Sequence, residues 1–121
     1  MKRVIIAGSR TIPYRLAYRD VLAILKKYKP EELELISGGC PTGPDAIVPR
    51  LARELGTASK TFMADWAKFG RSAGPRRNRQ MAEYATELIL IWDGKSRGSA
   101  NMKEEALKRK LAVREIIYTK E

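Results

Sequence analysis

Apolar runs that alternate with helix-spaced stripes constrain this chain more than any other feature. Val4 to Ala7 is a short apolar run ended by Gly8, the form of a strand buried on both faces. Tyr14, Tyr18, Val21, Leu25 and Tyr28 then recur at spacings of four and three, an amphipathic helical stripe that Pro30 closes. Leu33 to Ser37 reads as a second strand, and helix spacing resumes at Ile47, Val48, Leu51, Ala52 and Leu55, with Gly56 as C-cap. Thr61 to Met63 reads as a short third strand, Leu88 to Trp92 as the clearest strand of all, and Val113 to Tyr118 as the fifth. Pro75 suits the first turn of a helix running to about Ala85. A last helix is expected over Met102 to Lys110, with Asn101 as N-cap, Glu104 three residues on, Glu105 beside it and three cations in the final turn.

Such alternation argues for strands joined by right-handed helical crossovers. The expected fold is α/β: a single Rossmann-like domain over residues 1–121, with a five-stranded, mainly parallel sheet and helices on both faces. A chain of this length buries an adequate core without disulfides or a structural metal. One cysteine, Cys40, excludes an internal disulfide, and the absence of histidine removes Cys/His zinc patterns and a triad with a histidine base. No apolar run approaches the length of a signal h-region or a membrane span, so a cytoplasmic protein with no membrane partner is expected.

In a parallel sheet every strand-to-helix loop lies at the C-terminal edge. The loops in that position are "GSRTIP", "GGCPTGPD", "ADWAKFGRSAGPRRN" and "DGKSRGSAN", which hold eight of the nine glycines and carry hydroxyls, arginine or both. The opposite set ("KPEE", "GTAS", "TE", "KLA") looks like plain connection. Glycine lets backbone approach a ligand, and helix N-termini offer free N–H groups to phosphate. The edge where the first set converges is the expected site. A formal charge of +10 favours an anionic partner without choosing among nucleotide, nucleic acid and acidic surface.

"RVIIAGSR", "ISGGCPTGPDA", "ADWAKFGRSAGPRRNRQMAEYA" and "IWDGKSRGSANM" together resemble the YspA/YpsA-related branch of the SLOG superfamily, in order and over nearly the whole chain. The resemblance implies a Rossmann-like fold and a nucleotide or nucleotide-derived ligand. Its more distant members include LOG-type phosphoribohydrolases and the DNA-processing protein A group, which binds single-stranded DNA.

The candidate ligand- and phosphate-binding residues are Gly8, Ser9, Arg10, Gly38, Gly39, Gly43, Asp45, Arg76, Arg77, Asn78, Gly98 and Ser99. The fork of Arg10 suits phosphate or carboxylate. Three glycines in "GGCPTG" exceed the needs of a turn, yet no Walker lysine follows and no GxGxxG fits. Asp45 reads equally as an N-cap and as an acceptor for ribose hydroxyls. Arg76 and Arg77, with Arg79, place cations at the positive end of a helix, which a bound anion would explain and outward snorkelling or pairing with Glu83 would also explain. Trp66 reads either as satellite core or as a base-stacking surface.

Three carboxylates, Asp45, Asp93 and Glu104, are candidates for catalysis. The family's hydrolases, the resemblance implies, carry a glutamate after the second glycine-rich motif, and Met102 stands about there in this chain. Cleavage of an N-ribosidic bond needs a carboxylate near the oxocarbenium-like centre, so its absence favours binding or sensing over turnover. The expectation is a protein that binds a nucleotide-derived small molecule at the C-terminal edge, with no obligatory cofactor and no metal. A nucleotide N-ribosidic hydrolase and a nucleic-acid binder are the alternatives. Any oligonucleotide contact is expected to be weak, and a homodimer is the expected assembly.

Overall fold

A computed structural model describes residues 1–119, so the last two residues of the expected domain, 120 and 121, lie outside the described residues. The strands are β1 (Lys2–Gly8), β2 (Leu33–Ser37), β3 (Ala58–Thr61), β4 (Glu87–Trp92) and β5 (Ala112–Ile117). Their order is β3-β2-β1-β4-β5 and every pairing is parallel. The helices are α1 (Tyr14–Leu25), α2 (Val48–Leu55), the single turn α3 (Trp66–Phe69), α4 (Ala73–Tyr84) and α5 (Arg97–Lys108).

Strand alternation divides the core in two. Val4, Ile6, Leu35, Ile89 and Ile91 pack under α1 and α2, whereas Ile5, Ile36, Leu88, Leu90 and Trp92 pack under α4 and α5. Because β1 and β4 supply both sets, they read in sequence as unbroken apolar runs. Each fully buried Ile or Leu contributes about 1.5–3 kcal/mol. Gly56 closes α2 with φ 66°, and Pro49 occupies the first turn of that helix, where its missing N–H costs nothing.

Three expectations are corrected. The third strand is Ala58–Thr61 and not Thr61 to Met63, since Ile36 pairs with Lys60 and Ser37 with Thr61. This is an edge strand whose four side chains are all exposed, so no apolar pattern marks it. The last helix begins at Arg97, about five residues before Met102. Asp93 accepts hydrogen bonds from the amides of Lys95 and Ser96, both at 2.8 Å, and that turn delivers the chain into the helix early. Asn101 therefore lies inside α5 and accepts from Asn78 Nδ2 at 2.9 Å, so the Asn101/Glu104 capping box does not form. Glu104 pairs with Lys108 and the buried Glu105 with Arg109, both one turn along the helix. The third correction is Asp45, which caps no helix. Its carboxylate turns back to accept from the Gly38 amide at 2.9 Å.

Candidate functional site

The sheet order sets where a ligand can lie. Connections from β1 run outward through β2 to β3 under one pair of helices, and the chain then crosses to β4 on the other side of β1. The switch point is between β1 and β4, and a cleft of about 740 Å³ opens at the C-terminal ends of these strands and of β2. That volume lies within the range of small-molecule sites.

Two tight backbone approaches build its floor. A Cβ on Gly8 would lie 1.7 Å from the Ile91 carbonyl oxygen, so only glycine lets β1 run flush against β4 here. A Cβ on Gly43 would lie 2.7 Å from the Ser9 carbonyl oxygen, so Gly43 serves contact between the first two loops and does not face the cleft. Ser9 joins the β1 and β4 loops in a closed ring. The Asp93 amide donates to Ser9 Oγ at 3.1 Å, the Ser9 and Ser96 hydroxyls lie 2.7 Å apart, and Ser96 Oγ donates to Asp93 Oδ1 at 2.8 Å. The Lys95 and Ser96 amides and the Ser96 hydroxyl hold the Asp93 carboxyl well below the usual carboxylate range.

The second loop uses its amides internally. Gly38 N–H donates to Asp45, and Gly39 N–H to Ser37 Oγ at 3.0 Å. Burial pushes the Asp45 carboxyl up to about 6, opposed by the Gly38 amide and the charge of Arg77. Gly38 is gripped from its other end by Arg77, whose Nη1 donates to the Gly38 carbonyl at 2.7 Å. Arg77 Nε donates to Asn78 Oδ1, and Asn78 Nδ2 reaches the Gly98 carbonyl and Asn101. A hydrogen-bonded strap thus crosses from the β2 loop through α4 to the first turn of α5.

Most of the expected residues meet in this cleft: Gly8, Ser9, Arg10, Gly38, Gly39 and Asp45 from the first two loops, with Trp66, Arg77, Asn78, Asp93, Gly98 and Ser99 from the others. Three do not. Gly43 lies behind the loops, Glu104 points to solvent on α5, and Arg76 stacks over Phe69 at 4.3 Å while donating to Ser72. Trp66 is 55% exposed, and its ring leans on Gly74, where a Cβ would come within 3.2 Å. Sequence reasoning missed Arg71, Arg97, Met63 and Ser96, which also line the cleft. Arg71 and Arg97 sit in the same glycine-bearing loops as the residues it chose, so position after a strand was the available signal. Met63 fell inside the misplaced third strand.

The acids near this edge are held by their own loops, Asp45 by Gly38, Asp65 by the Lys68 amide and Asp93 by Lys95 and Ser96. Among the described residues, Arg10, Arg71, Arg77 and Arg97 form no ion pair. Both α4 and α5 present their N-termini without an acid in the first turn. The amides of Arg97, Gly98 and Ser99 have no carbonyl partner in their own helix, and nothing within 4 Å covers the Cβ position of Gly98. Uncompensated cations beside free amides favour an anion. Among the described residues no cluster of acidic and sulfur ligands suited to a metal ion is present, and no helix is long and apolar enough to cross a membrane.

The sequence pattern of the "YspA, cpYpsA-related SLOG family" matches residues 2–69. The Gene 61 protein of Mycobacterium phage D29 is 33% identical over 119 residues, 93% of this chain and 94% of that protein. Among solved structures, DNA processing protein A (DprA) from Streptococcus pneumoniae superposes with a TM-score of 0.72 at 19% identity, over 98% of this chain and 50% of that one. The chain therefore spans half the length of DprA, and the likeness is one of fold.

Proposed function

The chain belongs to the YspA, cpYpsA-related SLOG family, and from that premise we propose that it binds a nucleotide or nucleotide-derived small molecule, as a ligand-binding or sensing protein. The observation that carries this reading is the pairing of self-contained acids with unpaired arginines around the switch point. Arg10, Arg97 and the start of α5 line the same cleft and would together hold a phosphate group, with Gly98 leaving room for its approach. Asp45 and Asn78 supply polar groups for ribose or base, and Trp66 with Met63 supplies an apolar surface at the mouth. No cofactor is required by this reading.

A thermal-shift series over nucleoside monophosphates, diphosphates and cyclic nucleotides tests it, since a ligand that binds only the folded state raises apparent stability by mass action. A hit whose shift is lost in Arg10→Ala and in Gly98→Val supports the site. Equal shifts in both folded variants would place binding elsewhere.

A second reading, hydrolysis of an N-ribosidic bond, draws on one observation. Asp45 lines the cleft with its carboxyl raised to about 6, which suits a proton-transfer group. Release of free base from nucleoside monophosphates, abolished by Asp45→Asn, would establish that reading; its absence on prolonged incubation supports binding alone.

A further inference from the structure

The lining of the cleft changes character with burial. Arg10, Arg71 and Arg97 are exposed, whereas Ala7, Met81 and Met102 line the same cleft as buried members of the core cluster under α4 and α5. None of the buried lining residues is a cation. A ligand with one anionic and one uncharged end therefore seats the uncharged end inward, against the two methionines.

Two polar groups of that inner wall have no partner. Ser99 is 6% exposed, and among the described residues its hydroxyl makes no hydrogen bond. The second is on Asn101, half-buried next to Met102 in the chain, and a relay fixes its orientation. A guanidinium only donates, so the Asn78 atom that meets Arg77 Nε at 3.1 Å is the oxygen, Oδ1. Asn78 Nδ2 then faces Asn101 at 2.9 Å, and the facing atom of Asn101 is its oxygen too. Nδ2 of this cleft residue is left as a committed donor, and among the described residues it meets no acceptor.

Resting on the nucleotide reading above, we infer that Asn101 is a specificity-determining residue of the cleft, and that it selects bases carrying an exocyclic carbonyl over those carrying an amino group in its place. A carbonyl oxygen accepts from Nδ2 directly. An amino group there sets donor against donor and leaves the amide unpaired once the base excludes water. The two-point pairing by which an asparagine holds an adenine edge is closed to Asn101, because its oxygen is already bonded to Asn78. The Asp45 carboxylate does not restore a preference for amino bases, since a carbonyl base has a ring N–H beside its oxygen to donate. Ser99, able to donate or accept, serves either kind.

The test is calorimetric titration of the full chain with IMP, AMP, UMP and CMP, two pairs that exchange carbonyl for amino at one ring position. Within the pair that binds more tightly, the carbonyl member should bind about tenfold tighter than its amino partner. Asn101→Asp keeps an oxygen for Asn78 and turns the remaining atom into an acceptor, so that ratio should fall to one or below. Its added charge weakens both members alike and cancels in the ratio. Asn101→Ala, which adds no charge, should bring the ratio close to one. An amino member that binds as tightly as its carbonyl partner in the parent would overturn the assignment. So would a ratio unchanged in both folded variants, which would make Asn101 a contact to phosphate or ribose; either result leaves the nucleotide reading standing. No binding by any of the four nucleotides would remove that reading and this inference with it.

Discussion

Replacing Asp45 by asparagine separates the energetic effect of that carboxylate from its position in the cleft. The side chain is 9% exposed, and burial raises its pKa from 3.8 to about 6 in the folded protein. The folded state therefore holds the proton more tightly than the unfolded chain, and stability falls as pH rises through this window. A difference of about two pH units corresponds to roughly 3 kcal/mol, fully lost above the folded value. Asparagine keeps an oxygen for the Gly38 amide but turns an NH2 toward Arg77, which returns part of the gain. Asp45→Asn should thus be more stable than the parent at pH 8 by about 1–2 kcal/mol, or about 4–8 °C in Tm, and no more stable at pH 4. Thermal unfolding of both proteins from pH 4 to pH 8 checks this. Parallel curves, or a variant less stable throughout, would refute the argument that desolvation dominates over the Gly38 and Arg77 interactions.

The cleft glycines divide sharply. Gly8→Ala drives a Cβ to 1.7 Å from the Ile91 carbonyl and should cost more than about 4 kcal/mol or abolish soluble expression. Gly98→Ala meets nothing within 4 Å and should stabilise α5 by about 0.5–1 kcal/mol in urea unfolding while weakening ligand binding. Ser9→Ala opens the hydrogen-bonded ring, leaves the Asp93 amide without an acceptor, and should cost about 1–3 kcal/mol by the same measurement. Arg76→Glu should leave ligand affinity within twofold, because Arg76 lies on Phe69 outside the cleft, whereas Arg77→Glu should reduce both affinity and stability. Oligonucleotide binding, measured by fluorescence anisotropy, should be weak and fall steeply with salt, as counterion release requires.

The sheet was legible where strands are buried on both faces. Val4 to Ala7 and Leu88 to Trp92 announce themselves because every residue is apolar, and position after a strand then located the loops that line the cleft. The edge strand Ala58–Thr61 was illegible for the opposite physical reason: paired on one side only and exposed throughout, it needs no apolar residue. The start of α5 was missed because Asn101 and Glu104 imitate a capping box, while the turn that begins the helix is built by Asp93, a residue judged for catalysis. Asp45 illustrates a limit of local reading. Its spacing suited both an N-cap and a ligand contact, yet its carboxylate bonds to Gly38, seven residues back. Gly43 was chosen as the third glycine of its loop and Arg76 for its place at a helix N-terminus, and which way each faces depends on tertiary contacts that no spacing encodes.

The central place of β1 bears on synthesis. As the chain is made, β1, β2 and β3 can assemble with α1 and α2 before β4 exists. That half-sheet would carry one bare face, with Ile5, Ala7 and Ile36 awaiting α4 and α5, and a free hydrogen-bonding edge along β1. An open edge next to a bare apolar face is the arrangement most prone to pairing with a neighbouring nascent chain. The arrival of Glu87–Trp92 ends that exposure, and the same pairing sets the Asp93 amide against Ser9 to close the cleft floor. A ribosome stalled after β3 therefore holds a chain whose cleft floor is still open and whose need of a chaperone is greatest.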